Sequence, residues 1–568
     1  IISLTSTAVF ADDKKPISNG ISPLSGTFIQ PWMYNSWSEE RWEEEFTMLK
    51  ELGMEYLVMG DVAEKTKDSD KWFTFYESKL PEVEKMNYES LDMLFKMCEK
   101  HGIKLYLGMG VEHAWWQWDL SKEEDGKKFI EAAKMSVKFA DELYSKYKSK
   151  YPNAYYGFYS VYEIWNHGSW NNDQSRTIYA DYLSQGFNII LDGLNKIDST
   201  MPFLFSPFAT PSDDLASLEN TKKFWTEFFT KTNFRKNDAF SPMDNIGGGG
   251  QTLESVEPWY KAYASAINDS GNKLNFWSNV ESFAQPDETR VSGKDGINYW
   301  GACTVSRFID QIDIASKYCQ RVFNFAYPHY FSPYNNVAGY HIAYKDYVLT
   351  GKKDETIPIP PNKLSTFEEQ VDGKTYLKLE WSGEWDDNGI QRVNVYKNGS
   401  LLDYRVSSRY DGGTNTPEIP NYIYDTTLSS VTKFMNYEIE VIDCWGNVSQ
   451  RSKFRVYYDQ RNNKINLDES YVSLFKDGKV TISPKPTEAF PTEFIVKDDE
   501  LSSSSPDINE KMNTVYAVGI LIIFSVFVII LLVILFIRLL LLVYLLFLSI
   551  LLIKIVNIKR GFIPMSLS

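Results

Sequence analysis

YYGFYSVYEIW (155–165) and LNFWSNVESF (274–283) are two apolar, aromatic-rich runs, and each carries a single glutamate close to its end. Continuous apolar runs of this length are typical of strands buried on both faces of a parallel sheet. Six further runs share this character: TFIQPWMY (27–34), EYLVMGDV (55–62), KLYLGMGV (104–111), PFLFSPFA (202–209), DAFSPMDN (238–245) and RVFNFAYPHYF (321–331). The chain therefore contains eight candidate strands before residue 332.

Helical patterns lie between these runs. Ser38 is placed to cap the first helix, and His101-Gly102 is a typical end for the second. Further helical patterns cover about 122–150, 174–198, 214–231, 254–268 and 303–319. Eight strand–helix units predict an α/β fold, a closed (β/α)8 TIM barrel over 22–352. The alternative is an open doubly wound sheet, but no GxGxxG follows the first strand.

The composition changes after Gly351. IPIPPNK (357–363) reads as a linker, and YLKLEWSG, QRVNVYKNG and YEIEVIDCWGNVSQ alternate polar and apolar residues as strands do. We therefore predict an all-β sandwich domain over 364–458. Its pattern resembles fibronectin type III and immunoglobulin-like domains. The polar, serine-bearing stretch 459–513 predicts a flexible stalk.

Both ends of the sequence indicate export. The opening IISLTSTAVFADDKK resembles the tail of a signal peptide, so we assign 1–11 to its remnant; a frayed N-terminal strand is the alternative. Residues 514–553 contain one charge, Arg538, which predicts a C-terminal transmembrane helix or two spans within 514–556. Lys and Arg residues follow, so 557–568 is expected to be cytoplasmic. These features predict an exported cell-surface protein anchored in the plasma membrane.

Charge and composition exclude several classes of protein. Asp plus Glu is 75 against 59 for Lys plus Arg, and a net charge of −16 disfavours nucleic acid as a partner. The five histidines include no HxH or HExxH, so we expect no metal, no other cofactor and no metal-dependent hydrolase. Cys303 and Cys319 appear at the two ends of one predicted helix, roughly 24 Å apart, so free buried thiols are expected rather than disulfides.

Two carboxylates end barrel strands among aromatic residues. Glu163 follows the fourth strand and Glu281 the seventh, and function gathers at the carboxyl ends of barrel strands. A pair of carboxylates that flank a sugar bond can hydrolyse it, one as acid and the other as nucleophile or base. Glu112, which ends the third strand, competes with Glu163 for the role of acid; otherwise we expect it to accept sugar hydroxyls.

The motifs GTFIQPW, SVYEIW and FWSNVESF resemble a bacterial family known as domain of unknown function 4434, and the layout of the two glutamates is similar to that of clan A glycoside hydrolases. The resemblance implies that Glu163 is the acid/base, that Glu281 is the nucleophile, and that anomeric configuration is retained. Retention predicts carboxyl groups about 5–5.5 Å apart. Clan A enzymes have Asn before the acid; here it is Tyr162, with Asn166 and Asn279 as alternative partners for the sugar 2-hydroxyl.

Other polar and aromatic residues near the strand ends are candidate sugar ligands: Trp32, Glu112, His113, Trp115, Trp116, Trp165, Asn166, Asp244, Trp277, Asn279, Tyr327 and His329. Some of these aromatic residues are equally suited to core packing. Asp61 and Asp244 either contact substrate or cap loops. GGGG (247–250) lacks a following GK[ST], so we interpret it as a flexible loop over the barrel mouth.

These patterns predict a surface-anchored glycoside hydrolase with a monomeric ectodomain that acts on a polysaccharide or glycoconjugate. The alternative is a carbohydrate-binding or adhesion protein on an inactive barrel, because the same aromatic residues would serve binding alone.

Overall fold

The computed structural model describes residues 24–284, 291–292, 298–299, 301–371, 374–406, 419–425, 434–459, 464–476 and 479–482. The chain divides into two compact units. The first holds Ile1–Glu369, Leu377–Asp425 and Phe434–Phe490. The second holds Gln370–Tyr376, Thr426–Lys433 and Pro491–Ser568, of which the structure describes only 370–371 and 374–376, at the ends of two strands.

Eight parallel strands close into a barrel in the first unit. They are β1 (Gly26–Ile29), β2 (Tyr56–Met59), β3 (Lys104–Gly108), β4 (Tyr155–Ser160), β5 (Phe203–Phe205), β6 (Ala239–Phe240), β7 (Asn275–Glu281) and β8 (Arg321–Phe325). Neighbours in the chain are neighbours in the barrel, and β1 pairs with both β2 and β8. All eight predicted strands are confirmed. Each of them ends earlier than predicted, because the last residues of each apolar run bend into the loops of the barrel mouth.

A helix of at least eleven residues follows each barrel strand among the described residues. These helices are α1 (Glu39–Glu51), α2 (Leu91–His101), α3 (Glu123–Tyr147), α4 (Asp173–Asp198), α5 (Leu218–Lys231), α6 (Glu257–Ser270), α7 (Val305–Ser316) and α8 (Gly339–Thr350). The Ser38 hydroxyl accepts the Arg41 N–H at 3.2 Å and so caps α1 as predicted. Gly102 ends α2 with a left-handed φ of 64°.

Short elements surround the mouth of the barrel. The loops after β2 and β3 form a small four-stranded sheet that the sequence pattern did not predict: Ala63–Lys65, Trp72–Thr74, Val83–Met86 and Gly110–Glu112. Further short strands pair Phe283–Ala284 with Gly301–Ala302 and Val291–Ser292 with Asn298–Tyr299. Single helical turns occupy Pro31–Tyr34, His113–Gln117, Gly168–Asn171 and Tyr327–Tyr330.

Aromatic side chains fill the inside of the barrel. Phe28, Tyr56, Tyr106, Trp277 and Phe323 pack together there with small and branched residues. Trp277 stacks on Phe323, with ring centroids 5.2 Å apart and planes at 14°. The interior of the barrel is therefore a packed core.

A β domain follows the barrel. Its strands are β9 (Lys363–Val371), β10 (Lys374–Ser382), β11 (Ile390–Lys397), β12 (Ser400–Val406), β13 (Tyr422–Asp425), β14 (Phe434–Asp443), β15 (Ser452–Asp459), β16 (Lys464–Lys476) and β17 (Lys479–Ile482). They form a three-stranded and a six-stranded sheet, which is the composition of a sandwich. Trp381 on β10 and Tyr437, Ile439 and Val441 on β14 are buried, as their alternation predicts. The likeness to fibronectin type III or immunoglobulin-like domains stays a prediction.

The predicted stalk differs from the structure over its first part. We expected 459–513 to be a flexible linker, but β16 and β17 extend the six-stranded sheet to Ile482. Ile465 and Leu467 alternate with polar residues there, which is the period of a strand, and the overall polarity of the stretch hid this pattern. The other predicted domain boundaries stay predictions.

The predicted export and anchor segments, 1–11 and 514–556, and the tail 557–568 lie outside the described residues. In the part of the chain that is described, no helix has both the length and the apolar character needed to cross a membrane. All four cysteines are buried.

Candidate active site

Glu281 is the last residue of β7 and is buried, with 5% of its surface exposed. Its Oε2 accepts the backbone N–H of Gly248 at 2.6 Å. Burial and the neighbouring Asp244 carboxylate raise the pKa of Glu281, and Glu163 adds to this. The Gly248 N–H and the positive charge of Arg307 act in the opposite direction, because both favour the ionised form.

Asp244 holds the end of β7 in place. Its Oδ1 accepts the backbone N–H of Glu281 at 3.2 Å, and its Oδ2 accepts Nε2 of Gln311, on α7, at 2.5 Å. Gln311 Nε2 also donates to the Glu281 carbonyl at 3.0 Å. Burial raises the pKa of Asp244. Both Asp244 oxygens are thus engaged with the protein, which makes this residue a support for Glu281; its contact with substrate stays a prediction.

Glu163 lies three residues beyond β4, in an extended segment whose side chains alternate between buried and partly exposed. Tyr162, Ile164 and Asn166 are buried, whereas Glu163 and Trp165 lie on the open side. Within the described ranges, no side chain or backbone group forms a hydrogen bond or ion pair with the Glu163 carboxyl group. Burial raises its pKa from 4.5 to about 7. This carboxyl group can therefore hold a proton near neutral pH.

The two glutamates meet at the same end of the barrel. The carboxyl ends of β4 and β7 face one opening, with only β5 and β6 between them in the barrel order. The charge of Glu163 is one cause of the raised pKa of Glu281, so the two groups interact electrostatically. The two carboxyl groups have different environments, since Glu163 has no hydrogen-bond partner among the described residues and Glu281 is held by a backbone N–H. The separation of about 5–5.5 Å stays a prediction.

Asp61, which follows β2, joins the same group of carboxylates. Burial raises its pKa to about 6; Glu64 adds to the rise and His113 opposes it. The hydroxyl of Tyr159, on β4, interacts electrostatically with both Asp61 and Glu163. Asp61 thus lies at the mouth near Glu163. The amino-acid sequence alone did not decide whether Asp61 contacts substrate or caps a loop.

The end of the third strand places Glu112 and His113 beside the mouth, each with a charged partner. Glu112 lies 3.3 Å from Lys65 Nζ, and His113 Nε2 lies 3.2 Å from Glu64. Glu163, in contrast, has no ion pair among the described residues. Glu163 is therefore better suited than Glu112 to carry a proton to a substrate.

The tryptophans at the mouth have different surroundings. Trp115 is buried, and its Nε1 donates to the Glu163 carbonyl at 2.8 Å. Trp165 is partly exposed on the same side as Glu163. Trp32, also partly exposed, donates from Nε1 to Gln30 at 2.8 Å. Trp115 therefore supports the segment that carries Glu163, while Trp32 and Trp165 stay partly accessible.

Four other predicted ligands have packing or supporting contacts. Trp277 lies four residues before Glu281 on β7, roughly 13 Å towards the opposite end of the barrel. Asn279 donates to Ser206 at 3.2 Å inside the barrel. Asn166 donates to two carbonyl oxygens of the loop after β5, at 2.9 Å each. The Tyr327 hydroxyl lies 3.0 Å from His341 Nδ1 on α8. Substrate binding by these residues stays a prediction.

His329 lies on the helical turn after β8 and is buried among rings. Its nearest aromatic neighbours include Trp32, at 5.6 Å between ring centroids, and Phe325, at 5.3 Å. Burial lowers the pKa of His329 to about 3, so its imidazole is neutral at physiological pH. His329 can hydrogen-bond but adds no charge to the site.

The structure of the four-glycine run differs from the prediction made from the sequence. We expected GGGG (247–250) to be a flexible loop, but Gly248 donates to Glu281 and the run packs against that side chain. A Cβ on Gly247 would lie 2.6 Å from the Phe283 carbonyl oxygen and 2.8 Å from the Glu281 Cβ. Only glycine allows this approach. The position of the run, which begins two residues after Asn245 in the loop that follows a barrel strand, was the signal available in the sequence.

We expect Gly247→Ala to destabilise the fold by about 1–3 kcal/mol, because the new methyl group meets rigid backbone. Chemical denaturation of the full chain measures this free energy of unfolding. Gly60→Ala is the matched control, since a Cβ on that strand-end glycine meets nothing closer than 3.6 Å. Equal unfolding midpoints for the two variants would contradict the packing described for Gly247.

Metal-ligand side chains come together away from the mouth. In the described part of the chain, the one group with suitable spacing is Asp354, Asp386 and Asp387, whose oxygens lie within 4.8 Å of one another. Asp354 follows α8, and the other two residues precede β11. The described carboxylates at the barrel mouth do not form such a group.

The fold and this site define a (β/α)8 protein with two glutamates in unequal environments at the mouth. The chain belongs to the family described as Domain of unknown function (DUF4434), which matches residues 24–337. No curated protein sequence matches the chain.

Several solved structures are similar to the chain at low identity. A candidate α-L-fucosidase from Bacteroides thetaiotaomicron is 19% identical, with a TM-score of 0.44 over 61% of this chain and 99% of its own. A chitinase from Bacillus thuringiensis is 10% identical, with a TM-score of 0.35 over 77% and 85%. A xylanase from Thermoanaerobacterium saccharolyticum is 12% identical, with a TM-score of 0.32 over 54% and 86%. All three TM-scores are below 0.5, so the function of this chain has to be argued from its own site.

Proposed function

We propose that the barrel is a glycoside hydrolase that cleaves its substrate with Glu163 as acid/base and Glu281 as nucleophile. The observation that carries the proposal is the contrast between these two groups at one opening. Glu163 has no partner in the described residues and a pKa of about 7. Glu281 is fixed by the Gly248 N–H at 2.6 Å, with its strand end held by Asp244.

The proposed reaction has two steps. First, ionised Glu281 attacks the anomeric carbon while Glu163 gives its proton to the leaving oxygen, which forms a glycosyl ester on Glu281. Then Glu163, now ionised, takes a proton from water, which attacks the same carbon and releases Glu281. Two displacements at one carbon retain the anomeric configuration. The reaction needs no cofactor.

Asp61 and Asp244 have supporting roles in this proposal. Asp61 and Glu163 both interact electrostatically with the Tyr159 hydroxyl, and Asp61 can accept a hydrogen bond from a sugar hydroxyl. Asp244 keeps Glu281 aimed, since it accepts the backbone N–H of that residue. The site contains more carboxylates than described cations, so a neutral glycan is the substrate that fits it best. We further propose that the enzyme is exported and anchored at the cell surface, which the end segments 1–11 and 514–556 support.

We expect a narrow, bell-shaped dependence of kcat/KM on pH. The active form has Glu281 ionised and Glu163 protonated, so the rate rises with pH as Glu281 loses its proton and falls as Glu163 loses its own. The raised pKa values, about 8 for Glu281 and about 7 for Glu163, centre the profile between pH 7 and 8. Because the pKa values of both groups are raised, the two limbs of the profile lie close together. The apparent pKa values read from them belong to the interacting pair and not to single residues. Hydrolysis of a panel of aryl glycosides and polysaccharides between pH 4 and 9 measures the profile. A plateau that extends above pH 9 would contradict the role of Glu163.

A carbohydrate-binding protein on an inactive barrel is the second candidate function. The exposed ring of Trp116 at the mouth favours it, because stacking on a sugar needs no chemistry. Turnover distinguishes the two: binding without hydrolysis of any glycan that the protein retains would select this alternative.

A further inference from the structure

Two adjacent tryptophans after the third barrel strand have opposite environments. Trp115 is 1% exposed and is held by its hydrogen bond to the Glu163 carbonyl. Trp116 is 48% exposed. The buried ring acts as an anchor, because it ties the turn His113–Gln117 to the segment after β4. The exposed ring is thereby presented at the rim of the mouth.

Trp116 is the outer member of a row of stacked rings. Its centroid lies 5.6 Å from that of Trp165, with the planes at 24°. Trp165 stacks in turn on Phe208, at 6.4 Å and 19°. We call these three residues the aromatic ledge. They follow β3, β4 and β5, so the ledge spans three neighbouring strand ends on one side of the mouth.

The ledge lies beside the proposed acid. Glu163 and Trp165 are two residues apart in an extended segment, on its open side, and so are roughly 7 Å apart along the chain. An acid gives its proton to the oxygen of the leaving group, so groups next to the acid meet the leaving group. The length of one sugar ring is comparable with the distance from Glu163 to the ledge.

Polar groups border the ledge. The Lys65–Glu112 pair and the His113–Glu64 pair lie at the same strand end as Trp116. A sugar ring has an apolar face of C–H groups and an edge of hydroxyls, and these surroundings offer a partner to each. A small aryl leaving group would leave the charged pairs without contacts, so it would use fewer of these groups than a sugar unit does.

We propose that the aromatic ledge binds a sugar unit of the leaving group, so that the substrate is an oligosaccharide or polysaccharide rather than a glycoside of a small alcohol. The assignment to the leaving-group side rests on the proposed function. The binding of a glycan by the ledge does not, because stacking is independent of Glu163 and Glu281.

The test uses the full-length protein and the variants Trp116→Ala, Trp116→Phe and Trp385→Ala. Trp385 is 60% exposed on the β domain and is the matched control for the loss of a surface indole. Mobility in native gels that contain neutral polysaccharides measures binding. Hydrolysis of the same polymers and of an aryl glycoside gives kcat/KM, and thermal unfolding checks that each variant is folded.

We expect Trp116→Ala to weaken polymer binding and polymer kcat/KM at least about tenfold, and to lower kcat/KM on the aryl glycoside by a smaller factor than on the polymer. Trp116→Phe should keep most of the binding, and Trp385→Ala should match the parent. Polymer binding by Trp116→Ala equal to that of the parent would overturn the proposal, as would a parent that no polymer retards. Equal loss in Trp116→Ala and Trp385→Ala would also overturn it. If Trp116→Ala alone loses binding but no glycan is hydrolysed, the ledge stands and the proposed function fails.

Discussion

Glu281→Gln is expected to lower kcat/KM on every hydrolysed glycoside by a factor on the order of 10⁴ or more, because an amide cannot attack the anomeric carbon. The amide oxygen can still accept the Gly248 N–H, so the side chain should keep its place. Initial rates on aryl glycosides, with parent and variant at equal concentration, measure the effect. Glu254→Gln, at an exposed position of the loop before α6, is the control and should match the parent.

A second variant separates the nucleophile from a merely structural role. Glu281→Ala leaves space at the anomeric carbon, so added azide should restore part of the turnover and give a glycosyl azide of inverted configuration. Only a residue that attacks the substrate can be replaced in this way. Turnover of Glu281→Gln within tenfold of the parent would remove Glu281 from the mechanism.

Glu163→Gln is expected to reduce kcat/KM by roughly 10²–10⁴ on substrates with poor leaving groups, since these need a proton on the departing oxygen. For dinitrophenyl glycosides, whose leaving group needs no proton, the rate of the first step should fall much less. The fall in rate at alkaline pH should disappear with the Glu163 carboxyl group. Kinetics with matched aryl glycosides of good and poor leaving groups measure all three effects.

Glu112→Gln is the matched control for this experiment, because Glu112 was the competing acid and is paired with Lys65 in the structure. We expect it to change kcat/KM only a few-fold and to keep the alkaline limb. A larger loss in Glu112→Gln than in Glu163→Gln would exchange the two roles.

The stability of Glu163→Gln provides an independent check of the pKa. The folded pKa of Glu163, about 7, lies above its ordinary value of 4.5, so the folded state binds the proton more tightly than the unfolded state does. The stability that this group contributes is present below pH 4.5 and is lost as pH rises through about 7. The amide does not ionise. Glu163→Gln should therefore gain thermal stability relative to the parent above pH 7 and show no gain near pH 4.5.

The barrel could be predicted from the sequence because its strands are apolar along their whole length. Strands of this kind are buried on both faces. A closed sheet of eight strands buries one face under the surrounding helices and the other in the barrel interior. The positions of Glu163 and Glu281 followed from this topology, since carboxyl ends of parallel strands share one face. Their placement needed no knowledge of side-chain contacts.

The contacts that give each glutamate its environment could not be predicted in the same way. The Gly248 N–H that meets Glu281 comes from a loop 33 residues earlier in the chain, and a backbone donor leaves no mark in residue type. The supporting role of Asp244 depends on Gln311, which lies 67 residues further on α7. Trp277 is a different case: at 3.3 Å per residue, its place four residues before Glu281 already put it deep in the barrel.

The stacked pair Trp116–Trp165 also has an optical consequence. Two indoles with centroids 5.6 Å apart and planes at 24° couple their electronic transitions, and such coupling contributes a paired band to the far-ultraviolet circular dichroism. The signal belongs to the pair, so losing either ring removes it, whereas losing the isolated Trp385 leaves it in place. A glycan that settles on Trp116 changes the surroundings of one partner. The protein thus contains its own spectroscopic reporter of ligand binding, which needs neither a label nor turnover.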